Sequence, residues 1–281
     1  MSSLRSRLAG AARAARRDPI AAVAVLVLAL SLAAAILAPL VAPHPPTRAV
    51  PVDRLLPIGS SRHVLGTDQL GRDLLSRLLY GARLAWTVGI ATASLSLLIG
   101  GALGAVAGFF RGWIDAFISR SIDGLMAFPP VLLALVIAAI LGPSTTTGVL
   151  ALAIVFSPLV SRVVRGEVIA QRELEYVAAS RNLGKPEWLT LLQDVLPNTL
   201  PAVSVTAVIV SSRAIVIEAS LSFLGVGTQP PRANWGVMIS EARDHLTTHP
   251  RLMVLPGVSL ALTVLASNVL ADSFRRRSGR S

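Results

Sequence analysis

The sequence predicts an all-α membrane protein of six transmembrane helices with both termini in the cytoplasm. Apolar residues make up 53% of the 281-residue chain and charged residues only 15%, whereas soluble domains carry about 25% charge. Each of six apolar runs is near the roughly 20 residues that a helix needs to cross a hydrocarbon core of about 30 Å. The net charge of +11 comes from 25 arginines and one lysine, and these lie mostly in short segments beside the apolar runs. Positive residues beside membrane spans mark the cytoplasmic side, which sets the predicted orientation.

The first 42 residues predict a basic cytoplasmic segment followed by a first span. Five arginines lie within residues 1–19, and an apolar run fills residues 20–42. A cleaved signal peptide is the alternative interpretation of this run. We favour a retained span, because the apolar core of a signal peptide is about 7–15 residues long and this run is longer.

Residues 43–83 predict an extracytoplasmic segment that ends in an amphipathic helix. Either Asp68 or Asp73 is expected to cap this helix. Its leucines form one face, and Arg72 and Arg77 lie outside that face. We therefore expect the helix to lie along the membrane surface.

Residues 84–272 predict a membrane core of five further spans. The predicted spans are 84–110, a third ending near 141, 148–164, 199–221 and 252–270. An outer loop is expected at 223–251 and a cytoplasmic tail at 273–281. Pro129 and Pro130 are expected to break the third span near its start. The second span has a face of glycines that predicts close packing within the chain rather than a dimer contact: Gly100, Gly101, Gly104 and Gly108.

The polar stretch 169–198 predicts two short helices joined by a turn on the cytoplasmic side. Gly184 stands where a helix end favours a left-handed residue, because glycine adopts positive φ without a Cβ clash. Pro197 is expected to end the second helix. Small residues at Ala178 and Ser180 suit docking into a groove of another protein. An ordinary cytoplasmic loop is the alternative.

Two ionisable residues, Arg213 and Glu218, fall inside or at the edge of the span at 199–221. Charged groups at membrane depth are costly and usually face the interior of a helix bundle or water. A separation of five residues is poor for pairing along one helix, so separate partners are expected. Each residue is a candidate for the transport path or a gate, and a structural bond to a neighbouring helix is the equal alternative.

The chain lacks the sequence signatures of an enzyme. It has no cysteine, which excludes disulfides, thiol catalysis and cysteine metal sites. The Walker A loop is missing, since its nearest string has Ala179 at the first glycine and Pro186 at the Ser/Thr position. His245 and His249 have a spacing that suits two metal ligands, but no third ligand is near in the sequence. We therefore expect no catalytic residue, no metal site and no cofactor in this chain.

Three stretches resemble binding-protein-dependent ABC importer permeases. Residues 174–198 resemble the coupling loop of that family, in which E-A-A is followed after three residues by G and later by a hydrophobic-x-L-P ending. Those positions are filled here by Ala178, Ala179, Ser180 and Gly184. The family's glutamate position holds alanine, and we expect Glu175 to take over part of the acidic role. The strings GTDQLGRDLLSRLLYGAR and FLGVGTQPPRANWGVMISEARDHL resemble more specifically the dipeptide and oligopeptide branch.

The resemblance, over about residues 63–276, implies a type I ABC importer permease fold in a prokaryotic cell membrane. It implies transport of di- or oligopeptides by alternating access. The implied partners are a second homologous permease subunit, two ATPase subunits that bind ATP and Mg²⁺, and an extracytoplasmic binding protein. No nucleic-acid partner is expected. The implied ATPase-coupling residues are Glu175, Ala178, Ala179, Ser180, Arg181, Gly184 and Lys185. Two alternatives are a non-peptide solute such as nickel or heme, and an ion-coupled secondary transporter.

Overall fold

The computed structural model describes residues 18–278, with side chains to residue 273, and the regular structure in this range is helical. The helices are α1 (Pro19–Val41), α2 (Leu74–Phe110), α3 (Gly112–Met126), α4 (Pro130–Leu141), α5 (Thr145–Arg172), α6 (Glu175–Asn182), α7 (Glu187–Thr190), α8 (Leu196–Phe223), α9 (Trp235–Glu241) and α10 (Arg251–Ser278). Short 3₁₀ turns lie at Pro51–Asp53 and Arg243–His245, and a π-helical turn at Leu191–Val195. The predicted all-α class is confirmed. Residues 1–17 of the basic segment and the side chains of the tail from 274 onward lie outside the described residues.

Five helical stretches of the described chain are long and apolar enough to cross a membrane. They are Pro19–Val41, Leu74–Phe110, Thr145–Arg172, Glu187–Phe223 and Arg251–Ser273. A sixth span results if α3 and α4 are counted together. The predicted multi-span architecture is therefore confirmed, with five or six spans according to how this pair is treated.

The third predicted span is sharply bent. Pro129 lies between α3 and α4, Pro130 is the first residue of α4, and the two helices meet at 89°. Proline donates no backbone hydrogen bond and disfavours the helical conformation in the residue before it, which explains the break. At 1.5 Å per residue, the 12-residue α4 is only about 18 Å long, so it cannot cross the core alone.

The predicted surface helix before the second span does not exist as a separate element. The helix begins at Leu74 and runs without interruption through Phe110, and Asp73 caps it by accepting from the N–H of Ser76 at 2.8 Å. Arg77 is buried, with 1% of its side chain exposed, and Arg72 is buried with it. The expectation that both arginines lie outside the packed face is wrong, because they are paired with the buried Asp68 and the partly buried Glu241.

The chain divides into two compact units, of which the first comprises Met1–Trp86 and Pro231–Ser281. In its described part, α1 packs along α10 around Ala24, Leu28 and Ala266. The indole N–H of Trp86 donates to Ser31 Oγ at 3.0 Å. Most other side chains of α1 are exposed and apolar, as expected of a helix that faces lipid.

The second unit, Thr87–Pro230, is built around α5. This helix packs against α4 and α8. The α2 glycines lie on its backbone: a Cβ at Gly100 or Gly104 would collide with the carbonyl oxygen of Ser157 or Ser161. The predicted packing within the chain is confirmed for these glycines. Gly101 is the exception, because a Cβ there would meet nothing within 4 Å.

Candidate functional site

The predicted helix–turn–helix is present and turns at Gly184. The backbone N–H of Lys185 donates to the carbonyl of Ser180 at 3.2 Å, and that of Gly184 to the carbonyl of Arg181 at 2.9 Å. This pair of bonds is the Schellman arrangement, which requires a left-handed residue just past the helix end. Gly184 supplies it with φ of +78°. The predicted conformation of Gly184 is confirmed, and Pro186 then keeps α6 from continuing.

The second arm of the turn differs from the prediction, because Pro197 does not end it. Helical structure continues from Glu187 to Phe223, so the arm and the following span are one body. Pro197 has no N–H to donate to the preceding turn, and the chain widens there into the π-helical turn Leu191–Val195. The side-chain amide of Asn198 donates to the carbonyl of Asp194 at 2.7 Å and so satisfies a backbone acceptor at this irregularity.

Two ion pairs join the arms of the turn. Lys185 Nζ lies 2.9 Å and 2.8 Å from the two carboxylate oxygens of Asp194. Arg181 Nε lies 3.0 Å from Glu187 Oε1, and its guanidinium carbon stands 5.4 Å from the ring centroid of Phe109. Partly exposed ion pairs contribute little stability individually. Here each ion pair instead restricts the position of one arm relative to the other.

One face of this segment is anchored and the other is exposed. The anchors are the buried side chains of Val177, Leu191 and Val195. On the exposed side, Leu183 is 88% exposed and Trp188 is 58% exposed. Large apolar side chains on an otherwise polar loop are typical of a surface that contacts another molecule.

The seven predicted coupling residues fall into two groups. Glu175, Ala178, Ala179 and Gly184 are exposed, and Ser180 is partly buried. Arg181 and Lys185 are instead held by the ion pairs within the loop. The small residues of this set are thus accessible on the loop surface, whereas the two cations are engaged in holding the loop together.

Arg213 and Glu218 lie in different surroundings on α8. Glu218 is buried, and its Oε1 accepts from Ser222 Oγ at 2.7 Å and from Thr228 Oγ1 at 2.8 Å. Glu218 thereby holds the segment that follows α8. Arg213 is exposed, and within residues 18–273 its side chain has no hydrogen bond or ion pair. A charged residue within an apolar span usually faces the interior of a helix bundle or a water-filled cavity.

Sequence reasoning missed a buried ion cluster next to the start of α2. Arg72 Nε lies 2.6 Å from Asp68 Oδ2, and Arg72 Nη2 lies 2.7 Å from Glu241 Oε2. Arg77 bonds to the same two carboxylates. Two guanidinium groups thus neutralise two carboxylates and tie α9 to the beginning of α2. Periodicity does not reveal this cluster, because Glu241 lies more than 160 positions from its partners.

Comparison with known proteins identifies related membrane components of transporters. The sequence profile of the family described as "binding-protein-dependent transport system inner membrane component" matches residues 100–281. Glutathione transport system permease protein GsiD of Pectobacterium atrosepticum is 38% identical over 259 residues, which cover 92% of this chain and 86% of that protein. Dipeptide transport system permease protein DppC of Alkalihalophilus pseudofirmus is 38% identical over 260 residues, which cover 92% of this chain and 85% of that protein.

A solved structure supports the same fold. The inward-facing MetNI methionine ABC transporter matches with a TM-score of 0.55 and 16% identity, over 70% of this chain and 95% of that chain. At this level of sequence identity, the match supports the fold and not the substrate or the partners. The ABC importer permease fold predicted from the sequence is confirmed.

Proposed function

Because the chain belongs to the family of inner membrane components of binding-protein-dependent transport systems, we propose that it carries peptides as the permease subunit of an ATP-driven importer. Permeases of this family work with separate ATPase subunits and a substrate-binding protein, and the ATPase subunits hydrolyse the ATP. The finer proposal is that a second, homologous permease completes the path and that ATP and Mg²⁺ bind only to the ATPase partners. The membrane is that of a prokaryotic cell, with both chain termini on the cytoplasmic side.

The observation that carries the peptide assignment is the extent of similarity to peptide permeases. The chain is 38% identical, over 92% of its length, to relatives whose names specify glutathione and dipeptide transport. A di/tripeptide permease of Pseudomonas aeruginosa is 40% identical over 89% of the chain. Nickel and heme are the competing substrates.

Substrate class can be tested with the reconstituted importer. The complete complex is placed in proteoliposomes, and ATP hydrolysis and uptake are measured with loaded binding protein. Di-, tri- and oligopeptides are expected to stimulate both, whereas nickel and heme are expected to leave both at the basal level. Stimulation by nickel or heme without any response to peptides would overturn the peptide assignment and leave the permease role intact.

For energy coupling, we propose that the segment Ala178 to Lys185 docks in a cleft of an ATPase subunit. The exposed Leu183 and Trp188 supply apolar contact area at the tip, and Ala179 lets a partner approach closely. The second arm continues directly into α8, and Trp188 and Arg213 are separated by about 38 Å at 1.5 Å per residue. When the docked tip moves, α8 moves with it, and so does Arg213. Alternating access requires such a movement of the spans.

Within the membrane, we propose Arg213 as the path or gate residue. Its side chain is exposed on α8 and unpaired within the described part of the chain, which suits contact with water, substrate or the second permease. Glu218 was an equal candidate, but its bonds to Ser222 and Thr228 favour a role in holding the segment after α8.

The coupling proposal is tested at Gly184 and Ala179. Valine at position 184 must adopt a positive φ, which costs on the order of 1–3 kcal/mol, and tryptophan at position 179 blocks close approach. Both variants are expected to insert and pair with the second permease but to bind the ATPase subunits weakly or to leave ATP hydrolysis uncoupled from uptake. Copurification, ATP hydrolysis and uptake measured on the same preparation distinguish these two defects.

Two conservative variants are the matched controls. Gly184→Asn keeps a residue that tolerates positive φ, and Ala179→Ser keeps a small side chain. Both should retain ATPase binding and uptake. Full ATPase binding and full substrate-driven uptake in Gly184→Val and Ala179→Trp would show that this loop is not the coupling element.

A further inference from the structure

Three side chains converge beside the start of α2: His44, His63 and Asp73. Their candidate ligand atoms all lie within 4.8 Å of one another. His63 Nδ1 is 2.9 Å from Asp73 Oδ1, and His44 Nδ1 is 3.8 Å from the same oxygen. The cluster thus presents two imidazole nitrogens and one carboxylate oxygen to a common point, a donor set that suits zinc and related transition metals.

The spacing of these atoms fits one small metal ion. With metal–ligand bonds of about 2.0–2.1 Å, two ligands of a tetrahedral zinc ion are about 3.4 Å apart. The two measured separations, 2.9 Å and 3.8 Å, each differ from that value by roughly half an ångström. Side-chain rotations of about this size would bring both pairs toward bonding geometry, and the two histidine nitrogens also lie within 4.8 Å of each other.

Ser76 holds Asp73 in the required orientation, and a second carboxylate lies near His63. Asp73 Oδ2 accepts from the backbone N–H of Ser76 at 2.8 Å and from its hydroxyl at 2.7 Å, which leaves Oδ1 to face the histidines. On the other side of the His63 ring, Nε2 lies 3.7 Å from Asp53 Oδ2. A carboxylate behind a histidine is the usual outer shell of a zinc ligand, where it fixes the tautomer and raises the basicity of the ring.

His44 supplies the observation that points to a ligand. Its Nδ1 is shielded from solvent and has no hydrogen-bond partner within residues 18–273. A shielded nitrogen without a partner is unfavourable, and a metal ion beside Asp73 would satisfy it. The His44 side chain as a whole remains 33% exposed, so an ion has a route to the site.

We propose that His44, His63 and Asp73 bind a divalent transition metal ion of the zinc type. The ion joins the segment after α1, the loop at 63 and the capping residue of α2, so its role is to hold this connection together. Water completes the fourth position of a tetrahedral ion. Calcium and magnesium are excluded as preferred occupants, because they select oxygen ligands. The proposal concerns the first unit alone and does not depend on the transported substrate.

The test is zinc binding by the full-length chain, purified in detergent with a histidine-free affinity tag. The native chain has no cysteine and only four histidines, so few other groups compete. Titration calorimetry with Zn²⁺ and elemental analysis after dialysis are expected to give one tightly bound ion per chain. His44→Ala should weaken binding at least tenfold, and Asp53→Asn should weaken it roughly tenfold as an outer-shell change. The double variant His245→Ala/His249→Ala is the matched control and should bind like the native chain.

Two further readouts separate a metal site from a hydrogen-bonded cluster. Co²⁺ should give the visible absorption of a tetrahedral nitrogen–oxygen site in the native chain and the control, and lose it in His44→Ala. Zn²⁺ should raise the Tm of the native chain but not that of His44→Ala, because a ligand stabilises only the state that binds it. His63→Ala should also lose zinc binding. If that variant fails to fold, the His44→Ala variant still tests the metal site, because His44 is partly exposed. Equal zinc binding in the native chain and His44→Ala, or no zinc bound by the native chain, would overturn the proposal.

Discussion

Adjacent glycines in α2 should respond in opposite ways to the same substitution. Gly100 packs on the backbone of α5, where an added Cβ would lie 2.9 Å from Val160 Cβ and 3.0 Å from the carbonyl carbon of Ser157. Gly101 faces open space, with nothing within 4 Å of an added Cβ. Alanine at position 100 must therefore push the helices apart, whereas alanine at position 101 meets no obstacle.

The magnitude follows from these distances. Carbon atoms in contact normally lie about 3.5–4.0 Å apart, so α2 and α5 must separate by at least roughly 0.5–1 Å to admit the new methyl group, because the carbonyl oxygen of Ser157 lies closer still. Overpacking of this kind costs about 1–3 kcal/mol. Replacing a helical glycine at an open position instead gains about 0.5–1 kcal/mol. Gly100→Ala should therefore be less stable than Gly101→Ala by about 1.5–4 kcal/mol.

The assay is reversible unfolding of the purified chain in mixed micelles with increasing SDS, followed by the loss of helical circular dichroism. Equal stabilities for Gly100→Ala and Gly101→Ala would refute the packing argument. If Gly100 lay instead at a contact between two copies of the chain, the substitution would change the oligomeric state and leave monomer stability unaltered. Size-exclusion chromatography of the same samples distinguishes that result.

Three further predictions concern charge and topology. Arg213→Leu should lower uptake at least tenfold while the complex still assembles, and Arg213→Lys should retain most of the uptake; full uptake in Arg213→Leu would remove this residue from the path. Cysteines introduced at Ser2 and Ser281 should react with an impermeant maleimide only after cells are permeabilised, and labelling of intact cells would reverse the predicted orientation. Arg77→Leu leaves Asp68 and Glu241 to share one arginine and should cost about 3–5 kcal/mol in the unfolding assay, whereas the exposed control Arg232→Leu should stay within about 0.5 kcal/mol of the native chain.

Local sequence rules predicted the features that depend on one stretch of chain. Five of the six apolar runs form helices of membrane length, because a chain in lipid can satisfy its own backbone as a helix. The position just past a helix end often has a positive φ and favours glycine. The glycine at position 184 therefore predicted the positive φ that is observed there. The break at Pro129 also follows from a local cause, the missing donor and the restricted residue before proline.

Several features that the sequence did not predict depend on residues distant along the chain. Arg77 looked like a surface cation, because its partner Glu241 is supplied by a helix that follows several spans later. His44 and Asp73 approach each other only once the loop between them has folded back. Periodicity describes one element at a time, so it has no signal for contacts of this kind.

The continuation of the second arm into α8 changes how force can pass from the loop to the membrane. If the helix ended at Pro197, a flexible joint would separate the loop from α8. Movement of the loop would then bend this joint and displace α8 less. Here the helical path runs from Glu187 to Phe223, and the π-helical turn Leu191–Val195 interrupts its regular α-helical hydrogen bonding. The pair between Lys185 and Asp194 spans the gap from the tip to that turn. This ion pair supports the irregular turn from outside the helix. If the tip docks on an ATPase subunit as we propose, we expect tip, turn and span to move together.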